Sequence, residues 1–302
     1  MHRIGASAAL ALGVALLLAG SALPARAGGA AVEPFPTARV GSWALPAIAF
    51  LDAEGILHGV APGRLGGSDL VTQEEAITLI GRTLGWSPKF PQNPSPQVDG
   101  FAQPYVARAE ALGVTSTFPR APTSRLEAVQ WLVQLLTLPP ATIQNPFTDV
   151  PDALAPSVLS AVQAGIVQGT SPTTFNPLGE VTRAQFAAML FAAQLAQHES
   201  GALSIDGATY FSRSGLTLVR MDADNWTLLS GSEGLRAVSG ALRKVSVQDT
   251  GFAVQVTETT ASGMSTLTVP EKSGSLQGPD GHTVTPPKDV PMTAAVFLLP
   301  LP

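Results

Sequence analysis

Two arginines recur in one context. Arg183 lies in Thr182-Arg183-Ala184-Gln185 and Arg125 in Ser124-Arg125-Leu126-Glu127. A hydroxyl followed three residues later by Glu or Gln is the capping box that opens a helix: the hydroxyl accepts from the third N–H while the longer side chain reaches back to the cap's own N–H. Each arginine is then the first helical residue. There a planar guanidinium adds a fork of donors to the unpaired backbone N–H groups, a chemistry suited to holding an anion. The plainer alternative is an exposed arginine paired with a neighbouring carboxylate. A third stretch, Thr72-Gln73-Glu74-Glu75, carries Gln73 in place of the arginine. An amide can hydrogen-bond hydroxyls but supplies no charge, so it would hold an acid less tightly.

Other chemistry finds little support. Asp222-Ala223-Asp224-Asn225, with Glu233 twelfth from Asp222, invites a calcium-loop reading, but Trp226 and Thr227 stand at the fifth and sixth places, where the loop needs an oxygen ligand and a glycine. A β-turn is the better expectation. His2, His58, His198 and His282 are scattered and there is no Cys, so neither a metal site nor a cofactor is expected. No G-x-S-x-G, P-loop or H-E-x-x-H occurs. A formal charge of −5 excludes a nucleic-acid binder by charge. Carboxylate pairs for glycoside hydrolysis stay open, though the C-terminal region is small for a sugar cleft.

The elements that must position the arginines repeat along the chain. The clearest copy runs from Phe147 to Ala196. Asp149 is its candidate N-cap, Leu154, Val158, Leu159 and Val162 form an apolar stripe, and Gly165 can end that helix in the left-handed conformation. A loop with Gly169, Pro172 and Pro177 leads to Thr182, after which Phe186, Met189, Leu190, Ala193 and Leu195 fall near helical spacing. A first copy has the stripe Trp43, Ile48, Leu51 and Ile56, Gly55, and a helix from Thr72. A second has Phe101, Gly113 and a helix from Ser124 that cannot pass Pro139-Pro140. Seventeen residues separate Gly55 from Thr72 and Gly165 from Thr182, and eleven separate Gly113 from Ser124. Residues 86–97, with four prolines, read as a linker. Units of this kind bury their apolar faces only against one another, so one bundle is expected, not three separate domains.

The third copy resembles the S-layer homology (SLH) domain through Phe147-Thr148-Asp149-Val150, Gly165-Ile166, Gly169 to Phe175-Asn176-Pro177, and Thr182-Arg183-Ala184-Gln185. The resemblance implies three tandem repeats, at 37–90, 91–142 and 143–199, forming an all-α bundle with pseudo-threefold symmetry and grooves between neighbours. It implies that the helix-start arginine contacts an acidic, often pyruvylated, sugar of a secondary cell-wall polysaccharide. Arg183, Arg125, Thr182, Ser124, Gln73 and Trp43 are thereby the candidate carbohydrate-binding residues, with Arg183 the expected main site. Trp43 and Phe101 could offer apolar faces to a sugar ring, against the plainer reading as core.

Outside the repeats, Met1-His2-Arg3, an apolar run from Ala6 to Ala22 and Ala25-Arg26-Ala27 read as a signal peptide, residues 1–27, followed by an irregular leader at 28–36. No later segment is apolar for long enough to span a membrane, and Ala294–Leu299 is far too short. From Ser200 the composition turns to Thr, Val, Ser and Gly. Alternation at 245–248, 252–257 and 267–269, with turns at Asp249-Thr250-Gly251 and Ser262-Gly263, predicts a small antiparallel β-domain over 203–302. The expected whole is a multidomain α + β chain: an exported, non-catalytic surface protein, anchored to the wall polysaccharide and open to S-layer or other surface proteins as partners. Two alternatives stand beside it: an anchored enzyme acting on wall polymers, and a structural bundle whose carbohydrate binding has degraded.

Overall fold

The computed structural model describes residues 42–61, 64–89, 97–197, 202–205, 207–213, 215–222, 224–260 and 262–301. The signal peptide, the leader, His198 and residues 90–96 of the proline-rich linker lie outside the described residues. The chain is mixed α + β and divides into two compact units, one built on 55–199 and the other on 41–54 together with 200–302.

The first unit contains α2 (Gln73–Thr83), α3 (Gln103–Ala111), α4 (Arg125–Leu135), α5 (Ala155–Gln163) and α6 (Arg183–Gln197); α1 (Leu45–Ala53) belongs to the second. Helices α2 and α4 open on the expected reciprocal boxes, Thr72 with Glu75 and Ser124 with Glu127. At α6 the Thr182 N–H donates to Gln185 Oε1 at 2.9 Å and the Gln185 N–H to Thr182 Oγ1 at 3.3 Å. Helices α3 and α5 have no side-chain cap and carry Pro104 and Pro156 in their first turns, where a missing N–H leaves no bond unmade. Gly113 and Gly165, at φ 81° and 71°, end these two helices in the left-handed conformation. Asp149 is not the cap it was expected to be. Its carboxylate accepts from the N–H groups of Phe175 and Asn176, at 2.8 and 2.7 Å, and so ties the loop before α6.

The starts of α2, α4 and α6 meet in a closed ring of backbone hydrogen bonds. The Val71 N–H donates to Val181 O, Val181 to Thr123 O, and Thr123 to Val71 O, at 2.8–3.0 Å. All three residues are fully or almost fully buried. One step outward, the amides of Gln73, Arg125 and Arg183 donate to Ala121, Gly179 and Asp69, and those of Glu74, Leu126 and Ala184 to Pro119, Pro177 and Gly67. Helix starts buried side by side need partners for their orphan donors, and each here finds them in a neighbouring loop. Below the ring, α6 is apolar almost all round and buried from Phe186 to Leu195, which makes it the central helix of the unit.

The second unit is an antiparallel meander of ten strands, β1 (Ala202–Ile205), β2 (Ala208–Arg213), β3 (Leu216–Arg220), β4 (Trp226–Ser230), β5 (Glu233–Val238), β6 (Ala241–Asp249), β7 (Ala253–Thr260), β8 (Gly263–Lys272), β9 (Ser275–Gln277) and β10 (Thr283–Val284), each paired with the next. Tyr210, Val219, Val245, Val247, Val254, Val256 and Val269 pack on one face against α7 (Met292–Ala295) and the turn Val296–Leu298, so the apolar run near the C-terminus is a core plug. The opposite face of β2–β4 pairs Phe211 with Leu218 and Leu218 with Leu228. Against β3 and β4 packs α1, with Phe50 and Phe211 rings 5.3 Å apart and Glu54 paired to Arg213 at 3.4 Å. The first copy's opening helix, expected to pack with the repeats, thus belongs to the sheet's unit. Its seven consecutive buried residues from Leu45 to Leu51 leave it no polar side. Phe252, placed in a strand by alternation, sits in the β6–β7 turn and is 84% exposed. The Asp222 carboxylate accepts from the N–H groups of Asp224 and Asn225, both at 2.8 Å, so the acidic cluster builds the β3–β4 turn, the reading preferred over calcium.

Candidate functional site

Around the ring stand three equivalent stations, each formed by the first helical residue of one helix and the loop of a neighbour. At the first, Arg183 is 6% exposed. Its Nη1 donates to Glu75 Oε1 at 2.8 Å, its Nη2 to His58 O at 2.8 Å and its Nε to Leu65 O at 3.4 Å. Glu75 is also the box residue that receives the Thr72 N–H. At the second, Gln73 is 5% exposed; its Nε2 donates to Glu127 Oε1 at 3.0 Å, and its Oε1 accepts from Ser116 Oγ and the Phe118 N–H. Two stations are therefore internally satisfied clasps, linking the α6 start to the α2 box and the α2 start to the α4 box.

The third station differs. Arg125 is half-buried, its Nη2 donates to Gln168 O, and its guanidinium carbon sits 4.8 Å over the Phe175 ring. Among the described residues no carboxylate pairs with it, and its buried Nε has no hydrogen-bond partner. Burial holds its pKa below the ordinary arginine value. The reason for the difference lies one helix away. In the cyclic order the box position equivalent to Glu75 and Glu127 is Gln185, which has no charge and uses its Oε1 on the Thr182 N–H. Phe175 is held for this contact by Phe147, with ring centroids 5.6 Å apart, and by Asp149 on its N–H. Burial would raise the Asp149 pKa, but hydrogen bonds from the backbone amides of Phe175, Asn176 and Asp149 itself bring it below the ordinary value.

These positions correct several expectations. Arg183, taken as the main anion donor, is buried and fully engaged with Glu75 and two carbonyls. The first two backbone N–H groups of α2, α4 and α6, counted as open to an anion, donate to neighbouring loops. Gln73 has both ends of its amide occupied. The hydroxyls of Thr182 and Ser124 serve their caps. Trp43 is half-buried in the turn before α1 and belongs to the second unit, whereas Arg125 and Arg183 belong to the first. Phe101 is 49% exposed and not core. Reading from sequence missed Phe175 and the Gln168 carbonyl, which come near Arg125 only through the fold. The replacement of Glu by Gln at 185 was the visible signal.

Comparison with family models now bears on this geometry. Residues 37–77 and 146–187 match the S-layer homology domain. Two SLH matches thus flank the middle stretch, the first reaching the α2 box and the second running from Phe147 through Arg183. SLH domains are known for anchoring proteins to the cell wall, and they suggest a wall-anchored protein of the cell surface. No curated protein matches the chain. Among the described residues no helix is long and apolar enough to cross a membrane.

Proposed function

We propose that this protein is an exported, non-catalytic anchor that binds an acidic secondary cell-wall polysaccharide through the Arg125 station, with residues 91–142 acting as the middle of three SLH repeats. The observation that carries the reading is the contrast between stations: Arg125 alone among the three keeps a cation without a carboxylate, beside an aromatic ring. A pyruvyl ketal or another sugar carboxylate is the ligand chemistry that such a guanidinium completes, since a charge-assisted bidentate pair is stronger than the carbonyl contact it now makes. The cyclic backbone bonds support treating the middle stretch as a repeat, because its cap, loop and amides occupy the same stations as those of the two matched stretches.

The test is binding of the purified chain to pyruvylated wall polysaccharide and to the same polymer after its ketals are removed. Arg125→Ala should weaken binding about tenfold or more, the loss of one charge-assisted contact. Gln185→Glu should weaken it as well, by supplying the carboxylate that the other stations have. Binding that both variants leave unchanged, while they fold normally, would remove Arg125 from the site.

A further inference from the structure

Among the described residues, the last long strand of the meander is open along one side. β8 pairs with β7 from Gly263 to Pro270, and β9 joins its other side only at Glu271 and Lys272. The Glu271 N–H donates to Phe252 O, and antiparallel bonding alternates from there back along β8, so Val269, Leu267 and Ser265 bond to β7. The N–H and C=O groups of Met264, Thr266 and Thr268 therefore point away from the sheet. Pro270, which has no N–H, falls at the next outward position, where none is missed.

This edge lacks the usual protection. Exposed edges are normally blunted by lysine, proline or a bulge, because a row of unpaired amides is a template for another strand. Gly263–Val269 contains no charge and no proline, and Met264 is 77% exposed. The row is also self-complementary. A second β8 laid antiparallel about Thr266 sets Thr266 against its own copy and Met264 against Thr268, so every outward donor meets an acceptor. Cross-strand Thr–Thr pairs are favourable on a sheet face, and no like charges meet across the axis.

We propose that two copies of this chain pair edge to edge through β8, with the dyad at Thr266, joining their sheets into one. This surface is separate from the polysaccharide reading and does not depend on it. Pairing would give each assembly two anchors, and two linked sites retain a polymer better than either alone.

The experiment is sedimentation velocity on the full chain across a range of concentrations. A monomer–dimer equilibrium is expected. Thr266→Pro removes an outward amide in each copy, keeps the backbone bonds to β7 and gives up only the exposed hydroxyl contact with Thr257, and it should weaken the dimer about tenfold. Thr266→Lys and Thr266→Glu should each weaken self-association, and mixing the two variants should restore a heterodimer, which a merely misfolded variant could not do. A chain that stays monomeric throughout overturns the proposal. So does a dimer indifferent to Thr266→Pro, or a Lys and Glu mixture that does not pair, since either places the contact elsewhere.

Discussion

Replacing Arg183 by alanine tests whether the sequence's most prominent arginine binds a ligand or holds the fold. The side chains of Arg183 and Glu75 are only 7% and 23% exposed, so removing the guanidinium strands a poorly solvated carboxylate together with two backbone carbonyls. Breaking a fully buried pair costs about 3–5 kcal/mol. The partial exposure of Glu75 and its remaining contacts with Thr72 lower this to about 2–3 kcal/mol. For a domain of this size that corresponds to a midpoint about 5–10 °C lower. Arg125→Ala gives up one hydrogen bond and one ring contact and is relieved of a desolvated charge, so it should stay within about 1 kcal/mol of wild type. Calorimetry of the full chain gives both values. A cycle with Glu75→Ala should show a coupling of about 1–3 kcal/mol at Arg183. Polysaccharide affinity well below the midpoint should be normal in Arg183→Ala and reduced in Arg125→Ala. An Arg183→Ala chain as stable as wild type but unable to bind would refute the clasp and return the site to Arg183.

Three further outcomes follow from the packing. Thr123 stands in the central ring where its counterparts are Val71 and Val181, and its buried Oγ1 has no partner among the described residues; Thr123→Val should stabilise the protein by about 1–2 kcal/mol, read as a raised denaturation midpoint. Asp149 has a lowered pKa in the fold, so its contribution is present above the unfolded value of about 3.9 and is lost as pH falls through the folded one. Asp149→Asn should then lower the midpoint at neutral pH, by less than Arg183→Ala, and the difference from wild type should fade below about pH 4. Residues 203–302 expressed alone should bind a hydrophobic dye and melt without cooperativity, because Phe211, Leu218 and Leu228 lose their helix cover. Fusing residues 42–54 to that fragment should restore a cooperative melt, and a sharp melt without them would show that α1 is dispensable.

The capping boxes at Thr72, Ser124 and Thr182, the helix-ending glycines and the alternating strands were legible in the chain because each depends on neighbours within a turn or two. The two copies that match the family model were legible for the same reason, as the same local signals recur in both at a spacing of seventeen residues. The fate of the arginines was not. Whether Arg183 or Arg125 keeps a free charge depends on which box residue the ring brings beside it, Glu75 in one case and the position of Gln185 in the other, and those pairs lie far apart in sequence. Asp149 read as a cap because Asp is a good local acceptor, but Pro156 leaves the α5 start with fewer donors to cap, and the distant amides of Phe175 and Asn176 claimed the carboxylate instead. The apolar α1 could bury itself against any apolar surface, and only the packed fold chose the sheet. Local hydrogen bonding, then, was written in the sequence, while the partner of each buried charge and apolar face was decided by long-range packing, which composition and spacing do not encode.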